Sequence, residues 1–168
     1  APFNRGPFGA SSLNRLVDTR IRQSLKIETD AYYAGQPIIV LENNYDLELF
    51  NGDIGVLWPD PDSGELFAWF DDPAGGIKST RPHWLPKHSA AYCLTIHKSQ
   101  GSEFDEVLGV FSPEDNDFLT RELVYTCASR ARKRLKLYGS ETALANAISR
   151  SVDRATRLEQ RILEKASS

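Results

Sequence analysis

Methionine is missing from all 168 residues, the initiating position included, so the expectation is a piece of a longer polypeptide. Cysteine is scarce. Cys93 and Cys127 are the two present, each within an apolar run and far from any CxxC or Cys/His spacing. That excludes a disulfide framework or a zinc site as the basis of the fold, and two reduced structural thiols are expected. No run approaches the roughly 20 apolar residues that cross a bilayer. The opening Ala1-Pro2-Phe3-Asn4-Arg5-Gly6 lacks the basic-then-apolar order of a secretory signal. A cytoplasmic protein with no membrane partner is therefore expected.

Positive charge is missing from one long stretch. Between Ile27 and Ile77 there is no Lys or Arg, while acids run from Glu28 and Asp30 through Glu42, Asp46, Glu48, Asp53, Asp60, Asp62, Glu65, Asp71 and Asp72. The C-terminal third reverses the balance with Arg121, Arg130, Arg132, Lys133, Arg134, Lys136, Arg150, Arg154, Arg157, Arg161 and Lys165. The net charge of -3 averages over this asymmetry, and local field decides where a phosphate can bind. The last five cations read as a solvated helix face.

Also absent is a phosphate-cradling loop of the form G-x-x-x-x-G-K-[ST], and with it an acid at a strand end to hold magnesium. The nearest approach, Gly75-Gly76-Ile77-Lys78-Ser79-Thr80, has isoleucine where glycine must precede lysine and reads as a hairpin connection. Asp105-Glu106 precedes its apolar run instead of following one. The chain by itself should therefore not hydrolyse ATP.

What is present is ordinary globular texture, 40% hydrophobic and 26% charged, in a length that suits one domain with a core plus a small inserted module. Ser11 and Ser12 can cap a helix whose Leu13, Leu16, Val17, Ile21 and Leu25 recur at three and four residues, which predicts one buried face. Pro37-Ile38-Ile39-Val40-Leu41 reads as a buried strand. Strand-like runs at 47–50, 54–58 and 66–70 follow. Turns at Asn51-Gly52-Asp53, at 59–64 and at 71–76 separate them and predict a small β barrel ending near residues 86–89. Of its aromatics Trp58, Trp69, Trp84, Phe67 and Phe70, at least three are expected in its core. Beyond it, residues 92–96 and 107–111 read as buried strands flanking a polar loop. Thr120 caps a helix over 121–132, 135–138 is a short strand, and the chain is helical from Glu141. Strands alternating with helices imply a mostly parallel sheet covered on its faces.

The polar loop Thr95-Ile96-His97-Lys98-Ser99-Gln100-Gly101-Ser102-Glu103-Phe104 follows a predicted strand, where open α/β sheets place ligand-binding groups. Thr95, Ser99 and Ser102 offer hydroxyls, His97 and Lys98 can add positive charge, and Gly101 permits close backbone approach. Such groups hold phosphates. Glu103 is the exception, better suited to a sugar hydroxyl.

This string resembles motif V of superfamily 1 helicases in its RecD-like form, and Leu123-Val124-Tyr125-Thr126-Cys127-Ala128-Ser129-Arg130-Ala131-Arg132 resembles motif VI. Arg5-Gly6-Pro7-Phe8-Gly9 with Leu13-Asn14, Asn43-Asn44, and Phe50-Asn51-Gly52-Asp53-Ile54-Gly55 are similar to further elements of that family in its order. The likeness extends over nearly the whole chain to about Gly139. One departure is Ser129, where the family commonly has threonine; a hydroxyl is kept.

The resemblance implies an α/β fold: a RecA-like (P-loop NTPase-type) second helicase domain, residues 1–48 and 90–168, interrupted by an SH3-like barrel at 49–89. It implies an ATP-dependent 5′ to 3′ DNA helicase subunit of exodeoxyribonuclease V, acting in double-strand break repair and recombination. It further implies that Arg130 is a catalytic arginine finger, that Gln100, Gly101 and Glu103 lie with it on the ATP side, and that Thr95, His97, Lys98 and Ser99 lie nearer the DNA. Implied partners are single-stranded DNA, a first motor domain outside this chain, and RecB-like and RecC-like subunits. ATP and Mg2+ belong to the full-length protein, with the Mg2+ ligands outside this chain. Two other classes compete. A metal-dependent nuclease is suggested by the many carboxylates, which mostly cluster at turns where solubility explains them. A non-enzymatic module would use the barrel aromatics to bind protein or stack on bases. Asn43, Asn44 and Asp53 suit turn formation as well as DNA contact.

Overall fold

The computed structural model describes residues 1–27 and 31–150. Helix α1, Ala10–Leu25, starts one residue before the two serines, with Gly9 at its cap and no side-chain cap bond. The preceding loop makes a cap unnecessary, because the Ala10 and Ser11 amides donate to the Phe3 and Asn4 carbonyls at 2.9 and 3.0 Å. Gly9 is required there: a Cβ would sit 2.4 Å from the Arg5 carbonyl oxygen. The expected buried face is not formed. Leu16, Val17 and Leu25 are exposed, and Ala10 is the buried residue of the helix.

The next five strands, β1 (Pro37–Val40), β2 (Ile54–Pro59), β3 (Leu66–Asp71), β4 (Ile77–Thr80) and β5 (His88–Ala90), form one sheet in the order β4-β3-β2-β1-β5. All its pairings are antiparallel. Ile38, Val40, Leu57, Ala68 and Phe70 point to one side and pack with Leu49 into a core. β1 was expected in the parallel sheet, yet it pairs with β2 and β5. Its unbroken burial has a local cause: Ile38 and Val40 face this core, while Ile39 lies beside Ala10 and Asn14 at the start of α1. Burial on both faces does not distinguish parallel from central antiparallel strands.

The barrel expectation is corrected: β4 and β5 are separate edges of an open sheet. The run at 47–50 is a turn bridged from Asn44 to Leu49. Its polar residues bond their own loop, with Asn43 Oδ1 accepting from Asn51 N–H, Asn44 Oδ1 from Leu47 N–H, and Asp53 Oδ2 from Phe50 N–H. The Gly75-Gly76 segment is indeed a hairpin turn, both glycines at φ 99°. Of the five aromatics, Phe70 is buried and Phe67 and Trp69 are half-buried. Trp58 and Trp84 are exposed, because alternation along β2 turns Trp58 away from the side that Leu57 enters.

The remaining elements are β6 (Phe104–Val110), α2 (Arg121–Ala128), β7 (Ala131–Tyr138) and α3 (Glu141–Ser149). β6 and β7 are parallel neighbours, the one parallel pair among the described residues, so the mostly parallel sheet is also corrected. Phe111, Leu119, Val124, Cys127, Ala147 and Ile96 form a second core. Residues 92–96 are not a strand. Their polar groups are met by other means: Asn14 Nδ2 donates to the Cys93 carbonyl (2.7 Å) while its Oδ1 accepts from Cys93 N–H (2.8 Å), and Ile96 N–H donates to the Ala1 carbonyl (2.9 Å). Helix α2 stops at Ala128, short of the predicted 132, because β7 begins at Ala131 to pair with β6. Both cysteines are free thiols, Cys127 buried and Cys93 half-buried. Arg154, Arg157, Arg161 and Lys165, with the helix expected there, lie outside the described residues.

A half-buried polar knot joins the parts. Asp18 on α1 accepts from Arg22 Nε (2.6 Å) and from the Tyr33 hydroxyl (2.7 Å), and Tyr33 is also hydrogen bonded to Tyr92. Burial, then the Tyr92 bond, raises the Tyr33 phenol well above its ordinary range.

Candidate functional site

A 3-10 turn at His97–Ser99 opens the polar loop. Successive bonds wind it: Gln100 N–H to the His97 carbonyl (3.2 Å) and Ser102 N–H to the Ser99 carbonyl (3.1 Å). Gly101 completes the reversal at φ 85°, a conformation in which a side chain would be strained.

The loop's exit meets the end of α2, and Arg130 is the junction. It lies in the turn between α2 and β7, not within a helix as expected. Its carbonyl accepts from Phe104 N–H (2.8 Å). Its guanidinium donates from Nη1 to the Ser102 carbonyl (3.1 Å), from Nε to the Thr126 carbonyl (3.3 Å), and from Nη2 to the Ser129 hydroxyl (3.1 Å). An arginine has five N–H donors, so two are left to meet an anion in a head already fixed and permanently charged. Ser129 thus keeps the hydroxyl that the motif calls for and aims it at the arginine.

Two clefts flank the loop. One, of about 160 Å³, is lined by Ile96, His97 and Gln100 with Thr120, Glu122, Leu123 and Thr126 of the α2 region. The other, of about 190 Å³, includes Thr95 and Lys98 with Asn4, Ser11, Asn14 and Cys93. The structure therefore separates the expected groups differently: His97 shares a cleft with Gln100, while Thr95 and Lys98 share the other. Two expected contact hydroxyls are engaged inside the loop. Thr95 Oγ1 accepts from Lys98 N–H (3.2 Å), and the buried Ser99 hydroxyl donates to the Ile96 carbonyl (2.8 Å). His97, Lys98, Gln100 and Gly101 are exposed.

Gly101 and Arg130 line neither cleft, and nor does Glu103. It pairs with Arg132 at 2.9 Å on the strand surface, beside Lys133 with Asp105 (2.7 Å) and Arg134 with Glu106 (2.8 Å). Much of the basic C-terminal charge is thus matched across β6 and β7. Arg150 is engaged as well, gripping Asp115 with both terminal nitrogens at 2.8 and 2.7 Å. Those hydrogen bonds, with one from Asn146, hold the Asp115 carboxyl well below the usual carboxylate range. Among the described residues, no three His, Cys, Asp or Glu side chains gather as metal ligands. Sequence reasoning missed Thr126, although its four-residue spacing from Arg130 was visible. It gave Asn14 no role either, and nothing local marks that residue as the bracket of Cys93.

Residues 90–138, which hold the loop and Arg130, match the UvrD-like helicase C-terminal domain. The chain is 39% identical over 163 residues to the RecBCD enzyme subunit RecD of Mycolicibacterium smegmatis, covering 94% of this chain and 28% of that protein. It is 32% identical to the ATP-dependent RecD2 DNA helicase of Deinococcus radiodurans, covering 96% and 22%. Among solved structures, Bacteroides Pif1 helicase in complex with ADP-AlF3 and ssDNA aligns with a TM-score of 0.46 at 17% identity, over 81% of this chain and 34% of that one. The chain is thus similar to RecD-type helicases over nearly its whole length. It spans roughly a quarter of the length of the curated relatives it matches.

Proposed function

We propose that this chain is the part of an ATP-dependent DNA helicase that meets the nucleotide from across an interdomain cleft and grips the DNA strand. The whole protein would be a cytoplasmic RecD-like subunit of exodeoxyribonuclease V, moving 5′ to 3′ in break repair and recombination with RecB-like and RecC-like partners. In this reading the antiparallel unit at residues 37–90 is an insertion in the motor domain. The observation that carries the proposal is the Arg130 guanidinium, fixed by the Ser102 and Thr126 carbonyls where the two motif-like segments meet.

ATP would be held mainly by the first motor domain, outside this chain, with Gln100, Gly101 and Arg130 facing its phosphates and His97 beside them. The donor set fits: a fixed cation with two N–H groups to spare suits oxygens that gain charge as the terminal phosphate departs. Magnesium, when bound with the nucleotide, neutralises phosphate charge. Lys98 and Thr95 would face the DNA backbone on the other side of the loop, and Ser99 would hold the loop's shape. Glu103 is left out, since Arg132 engages it. One loop with a nucleotide face and a DNA face can convert cleft closure into movement along a strand.

The test is Arg130→Ala in the full-length protein. ATP turnover should fall by about a thousandfold or more, while nucleotide affinity changes only a few-fold, as for a group acting mainly in the transition state. Arg130→Lys should rescue little, because an ammonium cannot reproduce the fork that reaches three oxygens. Normal turnover in a folded Arg130→Ala protein would remove Arg130 from the site.

A further inference from the structure

An antiparallel sheet with one packed face ordinarily turns polar side chains to water on the other. This one does not. Residues directly opposite on neighbouring strands share a face, and the register puts Pro37, Val56 and Trp69 in one row that ends on Ser79, Trp58 with Phe67 in the next, and Ile77 beside Asp71. This is the side away from the Leu57 and Phe70 core. Trp58 is 56% exposed and Ile77 69%. A shallow concavity of about 360 Å³ there is lined by Ile54, Val56, Trp69, Ile77 and Asp71, among others.

The charge around this face decides what it fits. No Lys or Arg occurs between Ile27 and Ile77, and the flanking turns carry Asp60, Asp62, Asp71 and Asp72. The two nearest later cations are engaged elsewhere: Lys78 donates to the Glu48 carbonyl, and Arg81 pairs with Glu65 at 3.3 Å. An apolar surface with an acidic border repels a phosphate backbone, despite aromatics that could stack on bases. A second copy on a two-fold axis would set acidic border against acidic border.

We infer that the outward face of β2, β3 and β4, centred on Val56 and Trp69, docks a segment of another protein that presents apolar side chains bordered by Lys or Arg. The inference rests on the reading that this chain works within a multi-subunit helicase.

The experiment uses the full-length protein with its RecB-like and RecC-like subunits. Val56→Asp combined with Ile77→Asp should weaken association thirtyfold or more, as for loss of an interface centre. DNA-stimulated ATP turnover of the free subunit should be unchanged. Asp71→Lys, an exposed rim change that does not threaten folding, should weaken association about tenfold and make it less dependent on salt. Acrylamide should quench Trp58 in the free full-length subunit, and assembly should protect it. Association unaffected by these substitutions would overturn the proposal. So would protection of Trp58 in the free subunit, which would mean that its own chain covers the face, or protection by single-stranded DNA. A wild-type subunit that unwinds DNA but never assembles would sink the docking proposal and leave the helicase reading standing. Assembly that is sensitive to these substitutions, in a subunit without DNA-stimulated ATP turnover, would do the reverse.

Discussion

The β2–β3 pair and the β6–β7 pair both lie beside a hydrophobic core, and they treat charge in opposite ways. Asp71, at its end, is the one charged residue of the first pair, and apolar side chains stand on both faces. The second pair alternates acids and bases across its ladder, Glu103 with Arg132, Asp105 with Lys133 and Glu106 with Arg134, all solvent-exposed. A charge-poor sheet face needs a cover, whereas a charge-matched one can stand in water. The comparison also shows that a run of cations in sequence does not amount to a cationic surface. Around the candidate site, Arg130 and Lys98 are held neither by these ladder pairs nor by the Arg150 clamp.

The comparison can be broken most forcefully at the two cores. Phe111→Ala should cost about 3–5 kcal/mol and Leu57→Ala about 2–5 kcal/mol, since both side chains are fully buried. Calorimetry of the two variants will tell whether the cores melt together. If each variant lowers a separate transition, the sheet at 37–90 folds independently; one shared transition would join the halves.

A smaller effect is expected at the bracket between α1 and the site. Asn14→Ala would strip both partners from the Cys93 backbone and should cost about 1–3 kcal/mol. Denaturant unfolding will measure it, and a change under 0.5 kcal/mol would show that water replaces the amide.

The Asp115–Arg150 clamp gives a pH signature. The folded carboxyl lies below its unfolded value, so its contribution is complete above about pH 4 and is lost as pH falls through the folded value. The stabilities of wild type and Asp115→Asn should therefore differ near neutrality and converge in acid. A gap that widens on acidification would contradict the clamp.

The smallest stability change belongs to the ladder pairs. Glu106→Gln should alter stability by about 0–1 kcal/mol. Removing the partner acids of Arg132, Lys133 and Arg134 together should, however, raise affinity for single-stranded DNA and steepen its salt dependence. Unchanged affinity would mean that these cations face away from any nucleic acid path.

Several elements were legible from the chain because their causes are local. The alternation at 54–58 and 66–70, the Asn51-Gly52-Asp53 and Gly75-Gly76 turns, and the helix opening after Thr120 each depend on neighbours a few residues away. Arg130 and Gln100 were singled out through motif resemblance, and their role remains a proposal. The failures share another cause. The partners of β1 were hidden because burial on both faces looks the same in either sheet type. The fate of 92–96 depended on Asn14, some 79 positions earlier. The pairing of Glu103 with Arg132, which lies 29 residues on, had no local mark either.

By itself, then, the sequence determined the turn positions, the strand and helix types of most segments, the charge asymmetry, and the two polar segments that carry the family resemblance. Tertiary structure alone decided that β1 joins the antiparallel sheet, that the sheet stays open, that Thr95 and Lys98 part from His97 and Gln100, and which charges cancel. The physical reason is range: dihedral preference and periodicity act over a few residues, whereas hydrogen bonds, ion pairs and burial are settled between groups that meet only once the chain has folded.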